Sequence, residues 1–254
     1  MKSTLTLWSW ILCYLLAQSL ADGPPQPPTF NKEGKIPVDR SIFKHHEEEQ
    51  GIPFNKFIPK STPGMIRLVT WNIHMLQDLL DPTLSAVDRL VGDLERIQAD
   101  VLVLQEIPKQ SDELSSFMRG LKSIGFDHRE VRYSRSENCT LGIMIASRSP
   151  IRIVDWVELG NNRILVHGVV AAKDGAQVDV LGTHLEVSSA SIRHHQAMKI
   201  AEYIQDNVDN RRALLVGDFN SHYTSHELGP LRGLSGCNEC FRGLGWTHPE
   251  YTCW

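Results

Sequence analysis

After its first twenty residues the chain has no apolar run long enough to cross a bilayer, no sustained block of like charge and no internal repeat. The first absence argues against a protein with several membrane-spanning helices. The second argues against an extended charged tail, and the third against solenoids and propellers. Basic charge is also short. Lys and Arg number 26 against 30 Asp and Glu, for a net charge of −4. Such a balance argues against a general nucleic-acid coat and leaves room only for a local basic groove. What is present is a 41% hydrophobic content over 254 residues, enough to bury one large core or two small ones.

The N-terminus has the build of a targeting segment. Lys2 supplies a positive end, Leu5 to Leu20 is apolar, and Ser19-Leu20-Ala21 offers small residues for cleavage after Ala21. The run is short for a membrane span, which favours a cleaved signal over an anchor. Residues 1–21 are therefore expected to direct secretion, leaving an extracellular chain with no stable membrane span. Cleavage removes Cys13 and leaves Cys139, Cys237, Cys240 and Cys253. In an oxidising compartment a structural disulfide is the expectation, with all three pairings open. Cys237-x-x-Cys240 as a redox pair, or as half a zinc site with His248 and Cys253, is the weaker reading. Asn138-Cys139-Thr140 is a glycosylation acceptor.

Residues 22–64 read as an extension outside the core. GPPQPP opens it in polyproline fashion, His45-His46-Glu47-Glu48-Glu49 reads as a solvated charge run rather than a metal site, and Pro63-Gly64 closes it with a turn. A domain is expected over 65–254. It begins with a strand, Met65 to Thr70. Apolar residues at helical spacing follow from Leu84 to Ile97 and from Asp112 to Ile124, around a short buried strand at Val101 to Leu104. Strands rich in Ile and Val come next: Leu141 to Ala146, Ile151 to Val157, Ile164 to Ala171 and Val178 to Leu181. Ser191 to Asn207 is an expected helix with Ile192, Met198, Ile200, Ala201 and Ile204 inward. Ala213 to Val216 is a strand, and the chain from Ser225 onward reads as loop. This order describes a mixed α/β sandwich with helices outside stacked sheets.

Four short islands stand at the ends of strand-like runs: Thr70-Trp71-Asn72-Ile73, Leu104-Gln105-Glu106-Ile107, Gly182-Thr183-His184-Leu185 and Gly217-Asp218-Phe219-Asn220. Hard oxygen donors and an imidazole at one sheet edge suit a hydrated magnesium ion and a phosphate ester. Glu106 ends a wholly apolar strand, where a carboxylate is costly unless exposed or paired. A magnesium ligand is the expected role, against a structural salt bridge. Asn72 can bind the same ion, hold Glu106 in place, or merely form a turn. Asp218 and Asn220 lie two apart, so their side chains can point the same way, with an Asx turn as the plainer alternative. His184 taken alone would more often be structural. His194 and His195 are expected to face solvent, and His222 and His226 to lie on the surface.

In their order, these islands resemble the endonuclease/exonuclease/phosphatase superfamily over about residues 66–254. The resemblance implies a four-layer α/β sandwich of two mixed, mainly antiparallel sheets flanked by helices. It implies metal binding by Glu106 and Asn72, with magnesium the expected ion and manganese or calcium as substitutes. It also implies that Asp218 and Asn220 position or activate the attacking water and contact phosphate, and that His184 contacts the scissile phosphate, as an imidazolium or as an acid. His74 stands where some branches carry aspartate, which points weakly to one metal rather than two. Arg135 and Asn138 occupy a loop that often touches phosphate. The family's last strand, close to Arg-Ile-Asp-Tyr-Ile, and its Ser-Asp-His segment are not among these residues. The chain is thus expected to lack the last strands and the final catalytic histidine, for which His248 is no stand-in. The implied substrate is a phosphodiester, either a nucleic acid or a phospholipid headgroup. A nuclease would use a basic groove around Arg132, Arg135 and Arg163. A sphingomyelinase-type enzyme would expose apolar loops, for which Phe241, Trp246, Tyr251 and Trp254 are candidates. A secreted binding protein that keeps the fold without turnover is the reading from another class.

Overall fold

A computed structural model of the chain describes residues 11–16 as backbone, and residues 65–77, 86–172, 175–208, 212–222 and 224–234. The expected extension over 22–64 falls outside them. Cys237, Cys240, Cys253, His248 and the trailing aromatic residues also lie outside the described residues.

Two sheets form the centre. The first contains β1 (Ile11–Leu16), β2 (Met65–Asn72), β3 (Val101–Pro108), β4 (His128–Tyr133) and β5 (Leu141–Ser147), in the order β1-β2-β3-β5-β4. The second contains β6 (Ile151–Gly160), β7 (Arg163–Ala171), β8 (Gln177–His184) and β9 (Ala213–Asp218) in chain order. Strand β1 lies in the segment read as a signal and runs antiparallel to β2. Removal of residues 1–21 would leave β2 as that sheet's edge.

Each sheet has one parallel pair, β2 with β3 and β8 with β9, and the remaining pairs are antiparallel. A parallel pair needs a crossover. Helix α1 (Val87–Ile97) lies in the first crossover and helix α3 (Ala190–Asn207) in the second. Helix α2 (Asp112–Ser123) joins α1 on the outer face of the first sheet. There Leu90, Leu94 and Ile97 of α1, with Phe117 and Leu121 of α2, pack on Val69, Trp71, Leu102, Leu104 and Met144. The alternate residues of the same strands, Leu68, Val101, Val103, Ile143 and Ile145, meet Ile164, Val166, Val178, Val180, Leu214 and Val216 of the second sheet. Helix α3 and the short helix α4 (Gly229–Gly233) cover that sheet's far side over Leu165 and Leu181. The period-two alternation of the strands therefore feeds two cores each, and four layers result.

Several local expectations change. Strand β4, HREVRY, is half-buried along its whole length and has no apolar alternation, so its polar sequence hid it. The stretch read as loop after Ser225 holds a 3-10 turn at His226–Leu228 and then α4, anchored by Leu228, Pro230 and Leu231. On α3 the fully buried positions are Gln196, Ala197, Ile200 and Ala201, while Ile192, Met198 and Ile204 are half-buried. His195 is exposed as expected, but His194 is half-buried and stacks on exposed His226, with ring centroids 5.9 Å apart. Cys139 is buried, has no disulfide partner among the described residues, and donates from Sγ to the Leu141 carbonyl.

Two glycines set how closely the backbones approach. A Cβ on Gly182 would lie 2.6 Å from Val103 Cγ1 across the sheet interface. Gly217 has φ +147°, and a Cβ there would lie 1.9 Å from the Thr183 carbonyl oxygen on the paired strand. Both the dihedral and the clash exclude a side chain beside Asp218. Gly217→Ala is expected to destabilise the fold by at least about 2 kcal/mol, as read from the urea midpoint. A wild-type midpoint would refute the constraint.

Candidate active site

The C-terminal ends of two parallel strands lie at the same edge, so each parallel pair delivers two residues to one place. In the first sheet Asn72 is in register with Gln105, next to Glu106, and in the second His184 is in register with Asp218. Face-to-face packing of the sheets then brings the two edges together. Asn72 Nδ2 donates to Glu106 Oε1 at 2.9 Å and to Asp218 Oδ2 at 3.1 Å. Asp218 Oδ2 also lies 3.8 Å from His184 Nε2, and both side chains are less than a tenth exposed. Asn72, Glu106, His184 and Asp218, expected as separate islands, form one cluster.

Backbone irregularities aim these groups. The β3–β5 register shifts between Leu104 and Ile107, where three steps on β3 match two on β5. Glu106 lies in this bulge with φ +59°. Such a bulge re-aims a side chain, and a non-glycine left-handed residue is strain stored where function needs it. The buried neighbour Gln105 holds the bulge by donating from Nε2 to Thr70 Oγ1 and to the Val103 carbonyl, each at 3.0 Å. After β9, Asn220 adopts φ +47° and its backbone N–H donates to Asp218 Oδ1 at 2.9 Å, an Asx-type closure. Its side-chain Nδ2 donates to the Leu185 carbonyl at 3.0 Å, tying the two loops together. The turn-forming reading of Asp218 and Asn220 is thus realised, at the edge where Asp218 also meets Asn72.

Several contacts around the site carried no local sequence signal. Arg163 Nη1 donates to His184 Nδ1 at 2.9 Å. Arg193 on α3 donates to the Glu186 and Val187 carbonyls and to Glu227 Oε1, which also accepts from Ser221 Oγ. Fully buried Gln196 accepts from Glu186 N–H and donates to the Gly160 carbonyl. These bonds brace the loops after His184 and Asn220. Their partners lie up to 36 residues apart in the chain, which sequence spacing does not reveal.

Of the expected basic groove, Arg135 is exposed and Arg132 half-buried at the end of β4. Their guanidinium carbons lie 5.1 and 5.3 Å from the Trp156 ring centroid. Glu158 reaches from the second sheet to accept from Ser134 Oγ and the Arg135 N–H, both at 2.7 Å. Arg163 serves His184 instead. Asn138 is exposed in the β4–β5 loop, His74 is exposed with its N–H on Asn72 Oδ1 at 3.1 Å, and His226 is exposed as expected.

A phosphoesterase family is indicated by this convergence, and the sequence decides which one. Residues 69–254 match the model of the Endonuclease/Exonuclease/phosphatase family. The chain belongs to that family. Comparison with curated protein sequences gives no significant match. Among solved structures, an endonuclease/exonuclease/phosphatase from Beutenbergia cavernae is similar at 24% identity and TM-score 0.53, covering 63% of this chain and 48% of that one. ANGEL2, a 2′,3′-cyclic phosphatase, is similar at 18% identity and TM-score 0.51, covering 70% and 62%. The human nocturnin catalytic domain, with a bound sulfate anion, is similar at 18% identity and TM-score 0.57, covering 75% and 79%. The chain spans less than two thirds of the first two, and all three likenesses show the shared fold.

The donor set fits a hard divalent cation: two carboxylates and an amide on one edge. Among the described residues no three His, Cys, Asp or Glu side chains form a ready metal cluster. Instead the Asn72 amide, with its electropositive N–H groups, stands between the two carboxylates while its oxygen accepts from His74 N–H. Of the two functional readings of Asn72, holding Glu106 in place is the one this arrangement displays.

Burial holds the His184 imidazole below its ordinary pKa of 6.5, and the Arg163 cation pushes the same way; Asp218 and Glu106 oppose both. Burial and Arg163 together thus favour the neutral ring. As pH falls through 6.5 the unfolded chain takes up a proton that the folded chain refuses. The stability contributed by neutral His184 is full above pH 6.5 and is lost as pH falls through the lower folded value. His184→Gln is expected to flatten the unfolding midpoint between about pH 7 and pH 5. An unchanged profile would show that His184 is not held neutral.

Proposed function

We propose that the chain is a secreted, divalent-metal-dependent phosphodiesterase that hydrolyses its substrate with an activated water. The observation that carries the reading is the Asn72 amide joining Glu106 to Asp218 across two sheets, with His184 facing the same carboxylate. Glu106, with Asn72 and solvent oxygens, would hold magnesium or a substitute such as manganese or calcium. A bound divalent ion supplies charge neutralisation at the phosphoryl oxygens. Asp218 is fixed by the Asn220 N–H and the Asn72 amide, and its carboxylate orients the attacking water and takes its proton. His184 donates from Nε2 to the phosphate as negative charge builds. Asn220 sets the loop that carries these groups through one amide N–H, and its second N–H is the one that would reach phosphate.

The tetrahedral sulfate held by nocturnin and the cyclic phosphatase activity of ANGEL2 accord with a phosphate ester here. A polyanionic, nuclease-type diester is favoured over a lipid. Arg135 and Lys109 are exposed at the same edge. Near the site only Val187, 63% exposed, offers a large apolar side chain among the described residues.

Hydrolysis of bis-(p-nitrophenyl) phosphate with magnesium measures the reaction. Glu106→Gln and Asp218→Asn are each expected to lower kcat/KM by about 10²-fold or more. Absence of magnesium-dependent turnover in the wild-type chain would defeat the enzyme reading and favour a binding protein.

Secretion has its own test. Asn138 and Thr140 are exposed while Cys139 is turned inward, a geometry open to a glycan. Expressed in a secretory cell, the chain is expected to reach the medium beginning at Asp22, with a glycosidase-sensitive mobility lost in Asn138→Gln. Retention of an uncut, unmodified chain inside the cell would refute this.

A further inference from the structure

We propose that Arg163 is a positioning residue that locks His184 as its Nε2–H tautomer, so that His184 serves the reaction only as a hydrogen-bond donor and not as its base. The inference rests on the phosphodiesterase reading for its role and on geometry for the lock. A guanidinium has five N–H donors and no acceptor. The 2.9 Å contact between Arg163 Nη1 and His184 Nδ1 therefore makes Nδ1 the acceptor. A neutral imidazole that accepts at Nδ1 carries its proton on Nε2. The Nε2 atom stands 3.8 Å from Asp218 Oδ2, too far for a direct hydrogen bond. Its N–H thus remains to be given to a third group lodged at the Asp218 edge, where a phosphate oxygen fits. With Nδ1 occupied by a cation and Nε2 protonated, no lone pair on His184 is left to take a proton from water. Asp218 is then the proton acceptor among the four converging residues.

The lock is built into the hairpin. Gly160 pairs with Arg163 across a two-residue loop, and Asn161 and Asn162 have φ +52° and +57°. This is the twist-matched geometry of a tight hairpin, which fixes the register of the two strands it joins. The Gln196 amide grips the Gly160 carbonyl from α3. Leu165 pairs with Thr183, so Arg163 falls beside His184 at the end of the adjacent strand. The downward shift of the His184 pKa by burial and by Arg163 agrees with a neutral ring.

Long-range 1H–15N correlation spectra of the metal-free, histidine-labelled chain at about pH 7.5, above the ordinary imidazole pKa, test the lock, with the His184 signals assigned by their loss in His184→Gln. The wild-type ring is expected to be neutral with its proton on Nε2. Arg163→Met, which keeps the length and removes the donor, is expected to mix the two tautomers. Arg163→Lys, which restores a cationic donor, is expected to bring the single pattern back. A proton on Nδ1, a doubly protonated wild-type ring, or an unmixed Nε2–H pattern in Arg163→Met would overturn the proposal. If Arg163→Met does not fold, the wild-type and Arg163→Lys spectra decide, since both must show Nε2–H. The spectra need no turnover. A locked tautomer in a chain without hydrolysis would count against the phosphodiesterase reading and leave the Arg163–His184 lock standing.

Discussion

One amide holds the site together. Asn72 sits at the end of the first sheet and offers both N–H bonds to carboxylates, Glu106 beside it and Asp218 across the interface. Two carboxylates drawn this close repel each other and lose hydration, costs that only an opposing charge or donor offsets. The Asn72 amide supplies donors without charge. The edge therefore keeps its negative character, which a divalent cation needs, while the carboxylates stay fixed.

Everything that brings those carboxylates within reach of one amide stems from chain topology. One crossover per sheet, through α1 and α3, makes one parallel pair per sheet, and both pairs point their ends the same way. The shared core between the sheets sets the distance between the two edges, with Gly182 admitting Val103 at close range. The bulge at Glu106 and the positive φ at Gly217 turn the last residues out of strand geometry. The left-handed Glu106 is unfavourable alone and is held by the buried Gln105 bonds, while glycine takes its dihedral freely and the Leu185–Asp218 backbone contact fixes the strand end. Backbone strain is stored at Glu106, where a side chain must be aimed.

The sequence was most legible where period and composition spoke together. The apolar runs before Asn72, Glu106, His184 and Asp218 are strands, α1 and α2 obey their apolar spacing, and α3 does so at Ile200 and Ala201. The four islands also contained the converging cluster, because a polar residue ending a buried strand has to be paired or functional. Strand β4 was illegible because Arg and Glu occupy a half-buried edge where alternation has no meaning. Arg193 and Gln196, and the contact of Arg163 with His184, were missed because the partners are distant in the chain and the residue types fit ordinary surface positions. The surroundings of His184 were only partly legible. Sequence shows the neighbouring acids by motif but not the arginine or the burial that outweigh them.

The bridge between the two sheets is tested most directly by a double-mutant cycle on stability, with Asn72→Ala, Asp218→Ala and the pair together, in metal-free buffer. Side chains in one hydrogen-bonded network couple, and a coupling energy of about 1 kcal/mol or more is expected. Additive effects, agreeing within about 0.3 kcal/mol, would mean that Asn72 and Asp218 do not meet and that the site is not assembled across the sheets.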